Sequence, residues 1–141
     1  MDVHVPAKRS ANMRAIRAKD TTPELLTRKA LYAMGYRFRL HQRDLPGRPD
    51  IVLPRFRSVI FVHGCFWHRH RCRNGRATPT SNAEFWQNKF AQNVDRDRRQ
   101  KQLLRRLGWR VLVIWECQTP DICCVQKRLR KFLRGRSAAP P

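Results

Sequence analysis

Residues 61–72 constrain this chain more than any other stretch; they read Phe-Val-His-Gly-Cys-Phe-Trp-His-Arg-His-Arg-Cys. They continue an apolar, β-branched run that begins at residue 58, which is typical of a buried strand that ends at a glycine. Cys65, His70 and Cys72 then supply three nitrogen and sulfur donors at short spacing, which suits tetrahedral zinc. The pattern predicts a strand that leads directly into a zinc-held loop.

Cys117, which follows a second predicted strand, offers a fourth ligand. A closed four-ligand zinc site is structural, because no open position remains for a reacting water. The alternative interpretation is that these are buried free cysteines. Two histidines of the stretch, His63 and His68, remain unassigned, and a histidine beside a metal loop is a candidate for proton transfer.

The charge of the chain indicates its class of partner. The 141 residues are enough for one domain with a single core, and 31 Lys and Arg against 10 Asp and Glu give a formal net charge of +21. Such an excess attracts polyanions through counterion release and disfavours self-association. Because the bias extends over the whole chain, it predicts nucleic-acid binding and a monomer rather than an ordinary solvated surface.

The sequence also predicts a location for the protein. No apolar run reaches the roughly 20 residues of a transmembrane helix, and the basic start does not lead into a signal core. Five cysteines without a secretory signal favour reduced thiols. We therefore expect a cytoplasmic protein without a membrane contact.

Strands and helices alternate along the chain, which predicts one α/β domain with a mixed central sheet flanked by helices. The expected strands cover residues 36–40, 50–53, 58–63 and 109–115, and the expected helices follow Thr21 or Thr22, span 82–107, and span 120–133. The helix start has two possible registers, since Thr21 with Glu24 forms a capping box and Thr22 would place Pro23 at the first helical position. The folded domain is expected to cover residues 21–135, and residues 136–141 are an expected disordered tail.

Residues 1–20 form a basic arm that includes Arg14 and Arg17. It is either an ordinary disordered terminus or a segment that becomes ordered on DNA. In the second case Arg14 and Arg17 contact the DNA.

Two carboxylates lie where burial is expected. Asp50 begins a strand after the turn Gly47-Arg48-Pro49, and hairpin geometry can bring it near the end of the strand at His63. A carboxylate with a backbone carbonyl would hold Mg²⁺, although a turn-capping aspartate is the alternative. Asp97 falls on the apolar stripe of the long helix, so we expect it to orient one of the histidines, preferentially His63, unless it pairs with a buried arginine.

The large aromatic residues divide into two groups. Trp109 and Trp115 lie in a predicted buried strand and are expected in the core. Phe66, Trp67 and Trp86 lie on a loop and near a helix start, where a wedge inserted between DNA base steps competes with core packing as their role. We favour the wedge, because apolar side chains that unstack a base step are a known mode of DNA recognition on a basic surface.

The Pro-Asp strand followed by a second strand is similar to the PD-(D/E)xK nuclease superfamily. The departure is that no Asp or Glu occurs between Asp50 and Glu84, so histidines must replace the missing acid and lysine.

This departure and a series of motifs resemble the very-short-patch repair (Vsr) mismatch endonuclease family. The motifs occur in order between about residue 9 and residue 117. They are Asn12-Met13-Arg14-Ala15-Ile16, Thr22-Pro23-Glu24, Gly47-Arg48-Pro49-Asp50, His63-Gly64-Cys65-Phe66-Trp67-His68, Glu84-Phe85-Trp86, Asn93-Val94-Asp95-Arg96-Asp97-Arg98-Arg99, Gly108-Trp109-Arg110-Val111 and Trp115-Glu116-Cys117. The resemblance implies a nick in one strand of double-stranded DNA beside the thymine of a T·G mismatch left by deamination of 5-methylcytosine.

The resemblance also implies roles for single residues. Asp50 matches the aspartate that binds the catalytic Mg²⁺, and Val62, where the family commonly has Thr, binds that ion through its main-chain carbonyl. His63 and His68 match the two active-site histidines, and Glu24 matches an acid of the first helix.

The same family implies the remaining sites and partners. The matched zinc ligands are Cys65, His70, Cys72 and Cys117, and the matched wedge residues are Phe66, Trp67 and Trp86. Mismatch-repair and DNA-polymerase partners and a bacterial, nucleoid-associated location follow from the family. The resemblance fades after Cys117, so Cys123 and Cys124 receive no role.

Two other classes of protein are compatible with the composition. A zinc-stabilised DNA-binding module without catalysis would not need an inward Asp97, Asp50 or spare histidines. A basic RNA-binding protein would prefer structured RNA over a mismatched duplex.

Overall fold

The computed structural model describes residues 20–134. The basic arm of residues 1–20, with Arg14 and Arg17, lies outside the described residues except for Asp20, as does the tail of residues 136–141. The domain expected between residues 21 and 135 is therefore described up to residue 134.

A four-stranded mixed sheet forms the centre of the domain. Its strands are β1 (Arg39–Leu40), β2 (Ile51–Leu53), β3 (Ser58–His63) and β4 (Arg110–Trp115), in the order β1-β2-β3-β4. β1, β2 and β3 are antiparallel neighbours, and β4 runs parallel to β3 with His63 opposite Trp115. The β2–β3 register pairs Ile51 with Ile60, which places Asp50 beside the carboxyl end of β3.

Within residues 20–134, five helices surround the sheet: α1 (Thr22–Ala33), α2 (Cys65–His68), α3 (Arg73–Arg76), α4 (Ala83–Arg106) and α5 (Ile122–Leu133). Short 3₁₀ turns cover Pro54–Phe56 and Glu116–Gln118. Thr21 is the N-cap of α1, because its hydroxyl accepts a hydrogen bond from the Glu24 N–H. No helix in the described part of the chain is long and apolar enough to cross a membrane.

The alternation of side chains along the strands builds a core on each face of the sheet. Ile51, Leu53 and Ile60 pack with residues of α1 and α5. Val52, Val59 and Phe61, which point to the other face, pack with Leu104 of α4. The expected architecture, a mixed sheet flanked by helices, is confirmed.

Three details of the expected elements are wrong. The strand predicted at residues 36–40 is only Arg39–Leu40, because that segment pairs with β2 over two residues. β4 is not a buried strand: it lies at the sheet edge, and of its residues only Ile114 is fully buried. Leu107, the predicted last residue of the long helix, follows α4 and is 54% exposed.

Candidate functional site

One open cavity of about 970 Å³ brings together most of the predicted catalytic residues. It is bordered by the start of α1, the end of β3, α2 and the middle of α4. The predicted residues that line it are Glu24, Asp50, Val62, His63, Phe66, Trp67, His68 and Asp97. Residues that are up to 73 positions apart in sequence, Glu24 and Asp97, thus share one site.

Asp50 is held by the strand that follows it. The main-chain N–H of Val62 donates a hydrogen bond of 2.7 Å to Asp50 Oδ2. Burial raises the pKa of the Asp50 carboxyl to about 7, against the lowering effect of the Val62 hydrogen bond, and the nearby Glu24 charge adds to the rise. A partly buried carboxylate of this kind is stabilised in its charged form by a cation placed beside it.

Glu24 lies at the entrance of α1 and is only 3% exposed. Arg28, one helical turn later, donates to Glu24 Oε2 at 3.0 Å and reaches Asp20 Oδ1 at 2.8 Å. The same Arg28 nitrogen lies 3.1 Å from His41 Nε2, which must accept because a guanidinium only donates. The main-chain N–H of His41 donates to the main-chain oxygen of Asp50, so this network ties Glu24 to the strand of Asp50.

His63 and His68 form a stacked pair. Their ring centroids are 3.8 Å apart at an interplanar angle of 7°, because Gly64 and α2 fold His68 back over the end of β3. Asp97 lies 2.6 Å from His68 Nδ1. The expectation that Asp97 preferentially orients His63 is therefore wrong: the turn after β3 places His68 between that strand and α4.

The two histidines differ in their electrostatic surroundings. Burial, and then the proximity of His68, lowers the pKa of His63 to about 3, so this ring is neutral near pH 7. Burial opposes ionisation of Asp97, but the hydrogen bond and charge of His68 outweigh it and lower the Asp97 pKa. Arg96 also approaches Asp97, at 3.5 Å, but its side chain is 49% exposed, so it is not the buried arginine of the alternative interpretation.

The four predicted zinc ligands converge, and their donor atoms all lie within 4.8 Å of one another. His70 Nδ1 is 3.8 Å from Cys65 Sγ and 3.4 Å from Cys117 Sγ. Ligands at Zn–S of about 2.3 Å and Zn–N of about 2.0 Å in a tetrahedron are separated by roughly 3.5–3.8 Å. The donor set and its spacing therefore fit zinc.

Main-chain groups surround the sulfur atoms in the way that favours thiolates. The Cys117 N–H lies 3.4 Å from Cys65 Sγ, and the Gly75 N–H lies 3.4 Å from Cys72 Sγ. The Gly75 hydrogen bond, helped by His70, lowers the pKa of Cys72 to about 6. Burial raises the pKa of Cys65 to about 12, so a metal at this position would have to displace its proton.

Trp115 connects the cysteine cluster with the histidine pair. Its ring stacks on His70 at 4.3 Å and meets the edge of His63 at 5.4 Å. The prediction of a pure core role for Trp115 is wrong, because β4 is an edge strand and its end faces both clusters. Trp109 is half-buried, packs at the margin of the core and carries the Arg57 guanidinium over its ring at 4.7 Å.

The predicted wedge residues form one aromatic cluster. Phe66 lies 5.1 Å from Trp67 and 5.9 Å from Trp86, and the Trp67 and Trp86 rings are 5.7 Å apart. All three are partly exposed, and Phe66 and Trp86 rest on the buried Phe90. Phe66 and Trp67 also line the catalytic cavity, so the cluster continues directly into it.

The sequence did not point to three polar residues of the site. Arg28 donates to Glu24 and to His41 Nε2, and buried Asn93 donates at 3.1 Å to the main-chain oxygen of Trp67. The four-residue spacing of Glu24 and Arg28 was a visible signal of their pairing. His41 and Asn93 gave no comparable signal, because their partners lie in distant segments.

Sequence comparison relates this chain to known proteins. The family model described as DNA mismatch endonuclease Vsr matches residues 1–74. The DNA mismatch endonuclease Vsr of Escherichia coli is 50% identical over 116 residues, which cover 82% of this chain and 74% of that protein. A type II nicking enzyme of Xanthomonas oryzae is 48% identical over 128 residues, 91% of this chain and 93% of that one.

A type II nicking enzyme of Neisseria meningitidis is 39% identical and covers 94% of both chains. The chain therefore belongs to the Vsr family of DNA mismatch endonucleases. It is a DNA-acting hydrolase, which excludes the non-catalytic DNA-binding module and the RNA-binding protein as classes.

Proposed function

We propose that this endonuclease nicks one strand of duplex DNA beside the thymine of a T·G mismatch that arises from 5-methylcytosine deamination, and so initiates very-short-patch repair. One observation carries the proposal: the aromatic cluster of Phe66, Trp67 and Trp86 opens directly into the cavity that holds Asp50 and the histidine pair. Aromatic rings that unstack a weakened base pair would therefore deliver the adjacent phosphate to this cavity. The family resemblance supports the choice of T·G.

Asp50 and the main-chain carbonyl of Val62 are the groups that would hold Mg²⁺. The fit rests on a partly buried carboxylate with a raised pKa and on oxygen donors, which Mg²⁺ prefers. When bound, Mg²⁺ supplies charge stabilisation to the phosphate that is attacked. Glu24 adds a second carboxylate to the same cavity, and Arg28, which also donates to His41 Nε2, fixes its position.

His68 is the residue that we assign as general base. Asp97 accepts the His68 Nδ1–H, which leaves Nε2 free to take a proton from the attacking water. His63 is neutral and stacked on His68, so it fixes the plane of the reacting ring and excludes water from one of its faces. Both histidines and Asp97 are thereby given distinct roles.

The zinc that Cys65, His70, Cys72 and Cys117 would hold is structural in this proposal. It fixes the loop from which Phe66, Trp67 and His68 project. The high net charge favours a monomer that binds one duplex, with mismatch-repair proteins and a DNA polymerase acting after the nick.

The test is a single-turnover nicking assay with both strands end-labelled. Four duplexes of one flanking sequence would carry T·G, T·A, C·G or T·T at one position. We expect a single cut beside the T of T·G, only with Mg²⁺ present. Equal cutting of T·A or C·G would mean that sequence, rather than the mismatch, directs the enzyme.

A further inference from the structure

A second cavity, of about 590 Å³, meets the catalytic cavity at the histidine pair. The two share His63, His68 and Asp97 but are otherwise lined by different residues. Five cationic side chains line the second cavity: Arg69, Arg71, Arg98, Lys101 and Arg105. Among its described lining residues Asp97 is the one acid, and it is already engaged by His68 and Arg96.

The positive charge has a simple origin in the sequence. Arg98, Lys101 and Arg105 are spaced three and four residues apart, so they form one stripe on α4. Arg69 and Arg71 approach from the loop after α2. Like charges at this spacing are destabilising in an isolated helix, so the stripe is not explained by the stability of α4.

The individual side chains differ in freedom. Arg69 is fixed, because it donates to Ala77 O at 2.7 Å and to Thr78 Oγ1 at 3.2 Å and lies over Phe90. Lys101 is half-buried, and burial together with Arg105 and Arg98 lowers its pKa against the opposing effect of Asp97. An anion in the cavity would relieve this crowding of positive charge.

We propose that the second cavity binds a backbone phosphate of the nicked strand, next to the phosphate that is cleaved. This position rests on the proposed function, since it assumes that cleavage takes place between Asp50 and His68. A strand that crosses the catalytic cavity continues past the histidine pair, and each strand carries one charge about every 3.4 Å. Arginine forks suit two phosphate oxygens at once, and Lys101 adds a compact charge behind them.

The chain offers a matched pair of variants on one helix. R98Q/R105Q removes two exposed cations of the second cavity. R99Q/R106Q removes two exposed cations with the same seven-residue spacing that line neither cavity. Both variants lower the net charge equally, and thermal melting would verify that each is folded.

The first readout is the salt dependence of binding to a fully paired duplex. We expect R98Q/R105Q to reduce the slope of log K against log salt by about 0.9 for each phosphate that the protein no longer neutralises. R99Q/R106Q should change the slope by less than half as much. Equal slope changes in both variants would overturn the proposal, because they would reflect net charge alone.

The second readout locates the phosphate. Neutral methylphosphonate linkages would replace, one at a time, the phosphates on either side of the cut in a T·G duplex. We expect one neighbouring position to weaken binding by the wild type roughly tenfold and to have little further effect on R98Q/R105Q. If every methylphosphonate weakens binding by R98Q/R105Q as much as it weakens binding by the wild type, the proposed phosphate site is refuted.

These outcomes are separable from the proposed function. The salt slope is measured on paired DNA without nicking. If R98Q/R105Q changes the salt slope more than R99Q/R106Q does, but the wild type does not nick T·G duplex, the T·G proposal fails and the phosphate site stands.

Discussion

Asp97→Asn is the substitution that most sharply tests the assignment of His68. Asp97 is 8% exposed and lies 2.6 Å from His68 Nδ1, so an asparagine of the same shape keeps the packing and removes the charge. A hydrogen bond to a charged group contributes about 1.5–3 kcal/mol, and each 1.4 kcal/mol is tenfold in rate. We therefore expect the single-turnover nicking rate to fall about 10- to 100-fold, with T·G affinity nearly unchanged.

The control and the double variant complete this test. Asp95→Asn changes an exposed carboxylate two residues earlier on α4 and should leave the rate unchanged. His68→Ala should lower the rate by roughly 10² or more, the size expected for loss of a positioned base. Because Asp97 acts through His68, D97N/H68A should be little slower than H68A alone. If the fold loss in nicking rate of D97N/H68A equals the product of the two single losses, Asp97 and His68 do not act as a unit.

Three further predictions concern metal, recognition and pH. Protein purified without added metal should contain about one zinc per chain by elemental analysis. Cys117→Ser should lose that zinc and unfold at a lower temperature, whereas the control Cys123→Ser should not. A full zinc content in Cys117→Ser would exclude Cys117 as a ligand. In a binding titration, Trp67→Ala should weaken binding to the T·G duplex by about 1–3 kcal/mol and should weaken binding to the paired duplex by less. Tyr32→Ala, which changes an exposed ring, should alter the affinity for neither duplex. Equal losses of affinity for both duplexes would argue against the wedge. His63 has a pKa of about 3 in the folded chain against 6.5 ordinarily, so its contribution to stability is complete above pH 6.5 and is lost as pH falls toward 3. Chemical unfolding should show the stability of wild type falling relative to His63→Gln by up to about 1.4 kcal/mol per pH unit in that window, and parallel curves would contradict the buried neutral ring.

Local patterns were sufficient to predict much of the site. The helical period places Asp97 on the buried face of α4, and the close spacing of Cys65, His70 and Cys72 predicts a shared cluster. The β-branched run of residues 58–63 identifies β3, the central strand on which His63 ends. These features depend on neighbours in sequence, so they are readable without the fold.

Features that depend on distant segments were not predictable. The choice of His68 as the partner of Asp97 follows from the turn at Gly64, which reverses the chain and stacks His68 on His63. The apolar composition of β4 indicates a buried strand, but strand order places it at an edge where Trp115 faces the clusters. His41 has a positive φ of 48° and meets Arg28 thirteen residues away, a contact that no local pattern signals.

Asp50→Asn is the variant with which nicking and binding can be separated most directly. A neutral amide fits the position of Asp50 beside the Val62 N–H but no longer anchors a cation. Asp44→Asn, which changes an exposed carboxylate outside the cavity, is the control. In one single-turnover experiment with labelled T·G duplex and Mg²⁺, we expect Asp50→Asn to bind with nearly wild-type affinity and not to nick, whereas Asp44→Asn should nick normally. Nicking by Asp50→Asn at a near wild-type rate would contradict the role of Asp50 in holding the catalytic ion.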